Sequence, residues 1–312
     1  MKRIVCLLLM LVCCCTLTLA AADVSPKVNV LAPDEVREPG YGQHFYLLLC
    51  QDTWQEHANL GNTDGIVIVT LDEYAQRVML TSIIRDALVQ RPDGVTGRIN
   101  YIAKNYSPEA LCEVISRHLG VKIEKYILFN FSQIQAIVDI LGGVDIPITT
   151  AEANYLLRYS VYAVDKSSVT PHITGAGTYH FNGYGSVVYM RIRKAGGGGD
   201  FMRTQRVRTV LSLLADQCRS ISEQGAKDLA QSVLDNATRT NMSLGEVEQA
   251  AAMAWKLRGC TIEELRIPQD GMYRASNYAG MSCQELDWAA CRDAFDDYLR
   301  NSFWVVDDDE EE

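Results

Sequence analysis

The stretch Lys125-Tyr-Ile-Leu-Phe-Asn-Phe-Ser-Gln-Ile-Gln-Ala-Ile-Val-Asp-Ile-Leu-Gly-Gly-Val-Asp-Ile-Pro-Ile148 decides the fold. Lys125 to Phe129 is an apolar run of strand length. Phe131 to Leu141 has helical character and is stopped by Gly142-Gly143, and Val144 to Ile148 returns to strand. The same grammar extends to both sides. Phe45 to Cys50 reads as a buried strand. Ile66 to Leu71 and Arg77 to Ile84 are β-branched runs separated by Asp72-Glu73, which predicts two adjacent strands, and Ser107-Pro108-Glu109 opens a helix that Gly120 ends. Strands alternating with helices predict an α/β domain with a buried sheet.

The second half is richer in helix. Asn182 to Met190 is a short helix, and Gly196 to Gly199 is a four-glycine loop. Asp200 is placed to cap a helix from Phe201 to about Ile221. Ala226 to Asn236 and Ser243 to Leu257 read as helices, Leu265 to Pro268 as a late strand, and Cys283 to Arg300 as a last amphipathic helix.

Composition bounds the partners. The chain has 312 residues, 48% of them hydrophobic, enough for one substantial core. Its net charge is −10, and six of those charges lie in the tail Asp307 to Glu312. A basic nucleic-acid footprint is missing, so no nucleic-acid partner is expected. Lys2 and Arg3 precede an uncharged run from Ile4 to Ala22, which fits a signal peptide or a membrane anchor. Either would place the rest outside the cytoplasm. The expected organisation is residues 1–22 as that segment, 23–43 as a Pro-containing linker, 44–300 as the domain and 301–312 as an acidic tail. Beyond the first segment lie Cys50, Cys112, Cys218, Cys260, Cys283 and Cys291, either free buried thiols or partners such as Cys260 with Cys283 or Cys291.

Two charge patterns point to chemistry. Arg191, Arg193, Lys194, Arg203, Arg206 and Arg208 crowd around a single acid, Asp200. Planar, permanently charged guanidinium forks suit phosphate oxygens, and a solvated charged face is the alternative. Asp52 follows one strand and Asp64 precedes the next, positions that suit a hard cation such as Mg²⁺ held together with substrate phosphates. The alternative is a plain turn at Asn62-Thr63-Asp64-Gly65. Arg85-Asp86 ends a strand in the same manner. No nucleophile elbow, zincin motif, phosphate loop or dinucleotide fingerprint is present.

Asn62-Thr-Asp64-Gly-Ile-Val-Ile-Val-Thr, Leu80-Thr-Ser-Ile-Ile-Arg85-Asp86, Arg98-Ile-Asn100, Leu141-Gly-Gly-Val-Asp145, Phe181-Asn-Gly183, Tyr189-Met-Arg191-Ile-Arg193 and Asp200-Phe-Met-Arg203-Thr-Gln-Arg206 follow one another in order. This series resembles the LytR-CpsA-Psr family of cell-envelope proteins, over roughly residues 44 to 220. The resemblance implies a three-layer α/β/α domain, with a central sheet flanked by helices, on the outer face of the cytoplasmic membrane or secreted to the envelope. It implies a Mg²⁺-dependent phosphotransferase that moves a glycopolymer from a polyprenyl-pyrophosphate carrier to peptidoglycan. Asp52 and Asp64 would hold the metal, and Arg85, Arg191, Arg193 and Arg203 would bind the pyrophosphate. Arg206 is a further substrate-binding candidate, and Asp64 or Asp86 would assist deprotonation. The lipid would need an apolar tunnel, with Phe129, Phe131, Ile134, Ile137, Val138 and Leu141 as candidate walls.

Three positions depart from the family pattern. Asn62 stands where it has Arg, Val207 where it has Gln, and Ile84 where it has Pro. Arg206 or Lys194 would have to compensate for the missing guanidinium. Without compensation the alternatives are a non-catalytic polyprenyl-phosphate binder or regulatory relative, or a lipid pyrophosphatase.

Overall fold

A computed structural model describes residues 28–54, 60–158 and 173–300. Its centre is a six-stranded mixed sheet in the order β10-β3-β2-β1-β6-β9. The strands are β1 (Gln43–Gln51), β2 (Thr63–Asp72), β3 (Arg77–Ile83), β6 (Lys125–Phe129), β9 (Arg239–Thr240) and β10 (Ile262–Ile267). β1 pairs antiparallel with β2 and parallel with β6, so Leu49 lies opposite both Ile66 and Leu128. Three two-stranded antiparallel sheets surround it: β4 (Leu88–Gln90) with β5 (Thr96–Arg98), β7 (Val144–Ile148) with β8 (Gly177–Phe181), and β11 (Tyr273–Tyr278) with β12 (Met281–Leu286).

Strand alternation divides the core in two. Phe45, Leu47, Leu49, Ile66, Ile68 and Met79 point to one face. There they meet the short helix α1 (Ile102–Asn105), α2 (Pro108–Leu119) and α9 (Trp288–Arg300). Ser107 caps α2 by accepting from Ala110 N, and Gly120 ends it at φ 77. Tyr46, Leu48, Ile127 and Phe129 point to the opposite face, beneath α3 (Phe131–Ile140), α6 (Gly199–Gln217), α7 (Glu223–Asp235) and α8 (Leu244–Lys256). Helices on both faces give the expected α/β architecture. The remaining helices, α4 (Thr150–Arg158) and α5 (Gly183–Met190), pack with β7 and β8 as a lateral cluster.

Three expectations need correction. β7 does not join the central sheet; it pairs antiparallel with β8. Its Asp145 and Pro147 alternate outward, and proline cannot donate to a central ladder. Residues 281–286 form β12 rather than the start of a helix, because Ala279 and Gly280, both at positive φ, make a hairpin turn before them. Asp287 then opens α9 by accepting from Ala290 N at 3.1 Å. Asp200 does not cap α6: Gly198 does, and Asp200 lies inside the first turn. Of the two cysteine alternatives the structure has the first: Cys50, Cys112, Cys218, Cys260, Cys283 and Cys291 are free thiols. Cys291 is in the core on one face of the sheet, whereas Cys260 lines a cavity on the other.

Ahead of β1, Arg37 N donates to Gly120 O and Leu31 N to Arg117 O, so residues 31–37 run along the end of α2. The expected signal or anchor at residues 1–22 and the acidic tail fall outside the described residues. Among the described residues no helix is long and apolar enough to cross a membrane.

Candidate active site

β1 ends and β2 begins at a register shift between Cys50 and Gln51, a local irregularity of the kind that redirects side chains. Beyond it, Asp52 N donates to Asn62 O at 3.1 Å, which brings Asp52 and Asp64 to one rim. Both line a cavity of about 740 Å³ together with Arg191, Arg193 and Arg203. Arg191 and Arg193 follow α5, whose N-cap Asn182 accepts from Gly185 N, and Arg203 projects from α6.

Asp64 is the hub. Its Oδ2 accepts from Arg85 Nη1 at 2.5 Å, Arg203 Nη1 at 3.0 Å and Arg193 Nη2 at 3.3 Å. Its Oδ1 is buried and has no hydrogen-bond partner. Asp200 supports the same guanidiniums. Arg85 Nε donates to its Oδ2 at 2.9 Å, and Arg193 and Arg203 stand 3.5 Å from its Oδ1. Arg191 reaches Asp52 at 3.3 Å while lying 4.4 Å over the Phe131 ring. These arginines are therefore held in fixed directions around the cavity, as preorganised anion recognition requires.

Electrostatics separates the acids. Burial alone would raise the Asp64 carboxyl, but the Arg85 hydrogen bond and the charges of Arg203, Arg85 and Arg193 leave it lowered. Asp200 is likewise lowered to about 2, its burial outweighed by the hydrogen bond with Asp86 and by Arg203 and Arg85. Asp86 moves the other way, to about 6, through burial and its carboxylate neighbour Asp200. Cys50, also in the cavity wall, is raised to about 12 by burial and by Asp64 and Asp52, which disfavours its thiolate.

The candidates with charge thus divide. Asp52, Asp64, Arg191, Arg193 and Arg203 share the cavity, with Arg85 directly behind Asp64. Asp86 stands one step further back, 3.1 Å from Arg98. Arg206 is not at the cavity: it is buried, and its donors are taken by Glu152 Oε1, Ile192 O and Ala195 O. Lys194 is exposed to solvent, and Arg208 is buried against Glu264. Neither expected compensation for Asn62 is therefore in place. Asn62 keeps a buried Oδ1 with no partner, and Val207 lines the cavity as an apolar wall.

Of the proposed tunnel residues, Phe131 and Ile134 line this cavity. Phe129, Ile137 and Val138 belong to the packed cores instead. A second cavity of about 330 Å³ lies on the same face of the sheet, between Tyr46, Leu48 and Ile127 and residues of α7 and α8 such as Val233 and Ala251. Cys50 in the first cavity and Leu48 in the second are successive same-face residues of β1, about 7 Å apart. The sequence reading missed this second space because its walls come from strands and helices far apart in the chain. It also missed the role of Asp200, although a lone acid among six basic residues was a signal.

The LytR_cpsA_psr family model matches residues 26–292. The chain belongs to this family. Among curated relatives, polyisoprenyl-teichoic acid–peptidoglycan teichoic acid transferase TagV of Bacillus subtilis (strain 168) is 28% identical over 191 residues, 60% of this chain and 46% of that protein. The corresponding transferase TagU of Halalkalibacterium halodurans is 22% identical over 262 residues, 81% of this chain and 77% of that protein. The chain spans about half the length of the first curated relatives it matches. A solved LytR-CPS2A-psr family protein, YwtF (TagT) with bound octaprenyl pyrophosphate lipid, superposes with a TM-score of 0.64 at 18% identity, over 87% of this chain and 95% of that one. This likeness shows a shared fold.

Proposed function

We propose that this protein is a Mg²⁺-dependent phosphotransferase of the cell envelope that moves a glycopolymer from a polyprenyl-pyrophosphate carrier to peptidoglycan. The observation that carries the reading is the convergence of Arg85, Arg193 and Arg203 on Asp64 in the wall of a cavity whose other lining is largely apolar. One end suits a pyrophosphate. The second cavity along β1 suits the hydrocarbon chain. The names of the relatives and the octaprenyl pyrophosphate in the related structure support the same substrate class.

The residues fit a cation of limited protein ligation. Asp64 Oδ1 is a buried acceptor with no donor, and Asp52 lines the same cavity. Among the described residues no group of three or more His, Cys, Asp or Glu side chains forms a metal cage. That donor set suits Mg²⁺, which takes one or two carboxylates and completes its shell with phosphate oxygens and water. When bound, the ion would neutralise pyrophosphate charge.

In the reaction, a peptidoglycan hydroxyl oxygen bonds to the sugar-linked phosphorus. The bond from that phosphorus to the bridging oxygen breaks, and polyprenyl phosphate leaves. Arg191, Arg193 and Arg203 hold the phosphate oxygens and stabilise the charge that grows on them. Asp64 is committed to three guanidiniums, so the hydroxyl proton passes to Asp86, which stands behind Arg85 and would receive it through a bridging water. The unfilled places of Asn62 and Val207 favour one second reading, a binder of the same lipid with little or no turnover.

Purified protein incubated with Mg²⁺, a lipid-pyrophosphate glycan and peptidoglycan oligomers separates these readings. Linked product is the expected result. Phosphate release without linkage indicates hydrolysis, and tight lipid binding with neither product leaves the binder.

A further inference from the structure

Of the arginines that face the cavity, Arg203 is on α6, whereas Arg191 caps the end of α5 and Arg193 lies on a segment with no helix or strand of its own. α5 ends at Met190, and after Arg191 to Ala195 come Gly196, Gly197, Gly198 and Gly199, all at positive φ. Four such glycines give the chain wide conformational freedom. Yet Arg193 reaches both Asp64 and Asp200, and Arg191 reaches Asp52. Something must hold the backbone between α5 and the glycines.

Arg206 does so. Its Nη1 donates to Ile192 O at 2.7 Å and its Nη2 to Ala195 O at 3.1 Å, so the two carbonyls bracket Arg193. The third side of the fork, Nε, donates to Glu152 Oε1 at 2.6 Å. Glu152 is itself tied down, because its Oε2 accepts from Thr149 N and Thr149 Oγ1 at the start of α4. Arg206 is 2% exposed and Glu152 4%. A planar guanidinium can satisfy three acceptors in fixed directions at once, which a lysine ammonium on a flexible stem does less rigidly. Arg206 also follows Arg203 by one turn of α6. One helix therefore supplies a cavity-facing arginine and the clamp for two others.

We infer that Arg206, anchored by Glu152, is a positioning residue that holds Arg191 and Arg193 in their pyrophosphate-binding directions without touching the substrate. The assignment rests on the pyrophosphate reading above. Small displacements of such groups are costly to recognition.

The test uses the full chain and two probes, octaprenyl pyrophosphate and octaprenol, with binding measured well below each variant's melting temperature. Arg206→Met leaves Glu152 an unpaired buried charge, so it is compared with Arg206→Met/Glu152→Gln, which removes both charges and keeps an acceptor for Thr149. The double variant should recover most of the lost melting temperature. It should still bind octaprenyl pyrophosphate about tenfold or more weakly, with octaprenol binding unchanged. Arg206→Lys, which keeps the charge but not the fork, should lie between wild type and the double variant. If the methionine variants do not fold, this lysine variant decides the question by the same comparison of probes. Wild-type affinity in a folded variant lacking the fork overturns the inference. So does an equal loss for both probes, which would indicate general loosening. A wild-type protein that binds octaprenyl pyrophosphate no better than octaprenol overturns the pyrophosphate reading, and this assignment with it.

Discussion

Arg203 Nη1 donates to Asp64 Oδ2 at 3.0 Å, with each side chain only 7% exposed. The pair joins α6 to the start of β2 across 139 positions of sequence. Neutralising Asp64 leaves Arg203 with Asp200, 3.5 Å away, as its remaining carboxylate, so the cost should stay below the roughly 3–5 kcal/mol of an uncompensated buried charge. Asp64→Asn should therefore lower the melting temperature and abolish Mg²⁺-dependent binding of the lipid pyrophosphate. Differential scanning calorimetry and a binding titration with and without Mg²⁺ check both. An unchanged metal dependence would remove Asp64 from the proposed ligand set.

Arg191 is different because it is exposed and pairs with Asp52 only at 3.3 Å. Arg191→Ala should leave stability within about 0.5 kcal/mol, as for an ordinary surface substitution. Transfer should fall by roughly 10²-fold, the scale of one lost charge-stabilising donor. Unchanged transfer rates in this variant would remove the central claim about the arginines.

Asp86 supplies a pH signature. Its carboxyl lies at about 6 when folded, against an ordinary 3.8. Between these values the folded state holds the proton more tightly than the unfolded chain, so this group's stabilisation is lost as pH rises toward 6. Proton acceptance needs the ionised form, so transfer should increase with pH through about 6. Asp86→Asn should slow transfer and erase that acid limb. A limb that persists in the variant belongs to another group.

Val207 offers a gain-of-function test. It lines the cavity where relatives of this family are expected to carry a glutamine. Val207→Gln adds a donor near the phosphate end. One net hydrogen bond of about 1 kcal/mol corresponds to roughly fivefold tighter binding of octaprenyl pyrophosphate. A titration that shows equal or weaker affinity would mean that the side chain does not face the anion.

The second cavity is tested by filling it. Ala251→Phe adds a ring to the cavity of about 330 Å³ between α8 and the sheet. Affinity for octaprenyl pyrophosphate should drop, while a short-chain pyrophosphate such as geranyl pyrophosphate should bind as to wild type. Each excluded methylene removes about 0.8 kcal/mol of burial. Equal effects on both lipids would place the chain elsewhere.

Much of this was legible in the chain itself. The continuous apolar runs Phe45 to Cys50 and Ile66 to Leu71 marked adjacent strands, because a sheet covered by helices on both faces needs apolar side chains at successive positions. Ser107 and Gly120 bounded α2 through local capping chemistry. The strand at Val144 to Ile148 was equally visible. Its partner was not, since pairing depends on where the chain turns at Gly142 and Gly143 rather than on the strand's own composition.

Arg203 and Arg206 show where local reading stops. Both are arginines in one basic cluster, three residues apart on α6 and about 60° apart around its axis. By itself the sequence determined that the helix would form and that its first turns would be cationic. Only the tertiary structure decided that Arg203 meets Asp64 at the cavity while Arg206 meets Glu152 in the core. The physical reason is that a buried guanidinium takes its role from the acceptors packed around it, and those arrive from α4, β2 and the segment after α5, up to 139 positions away.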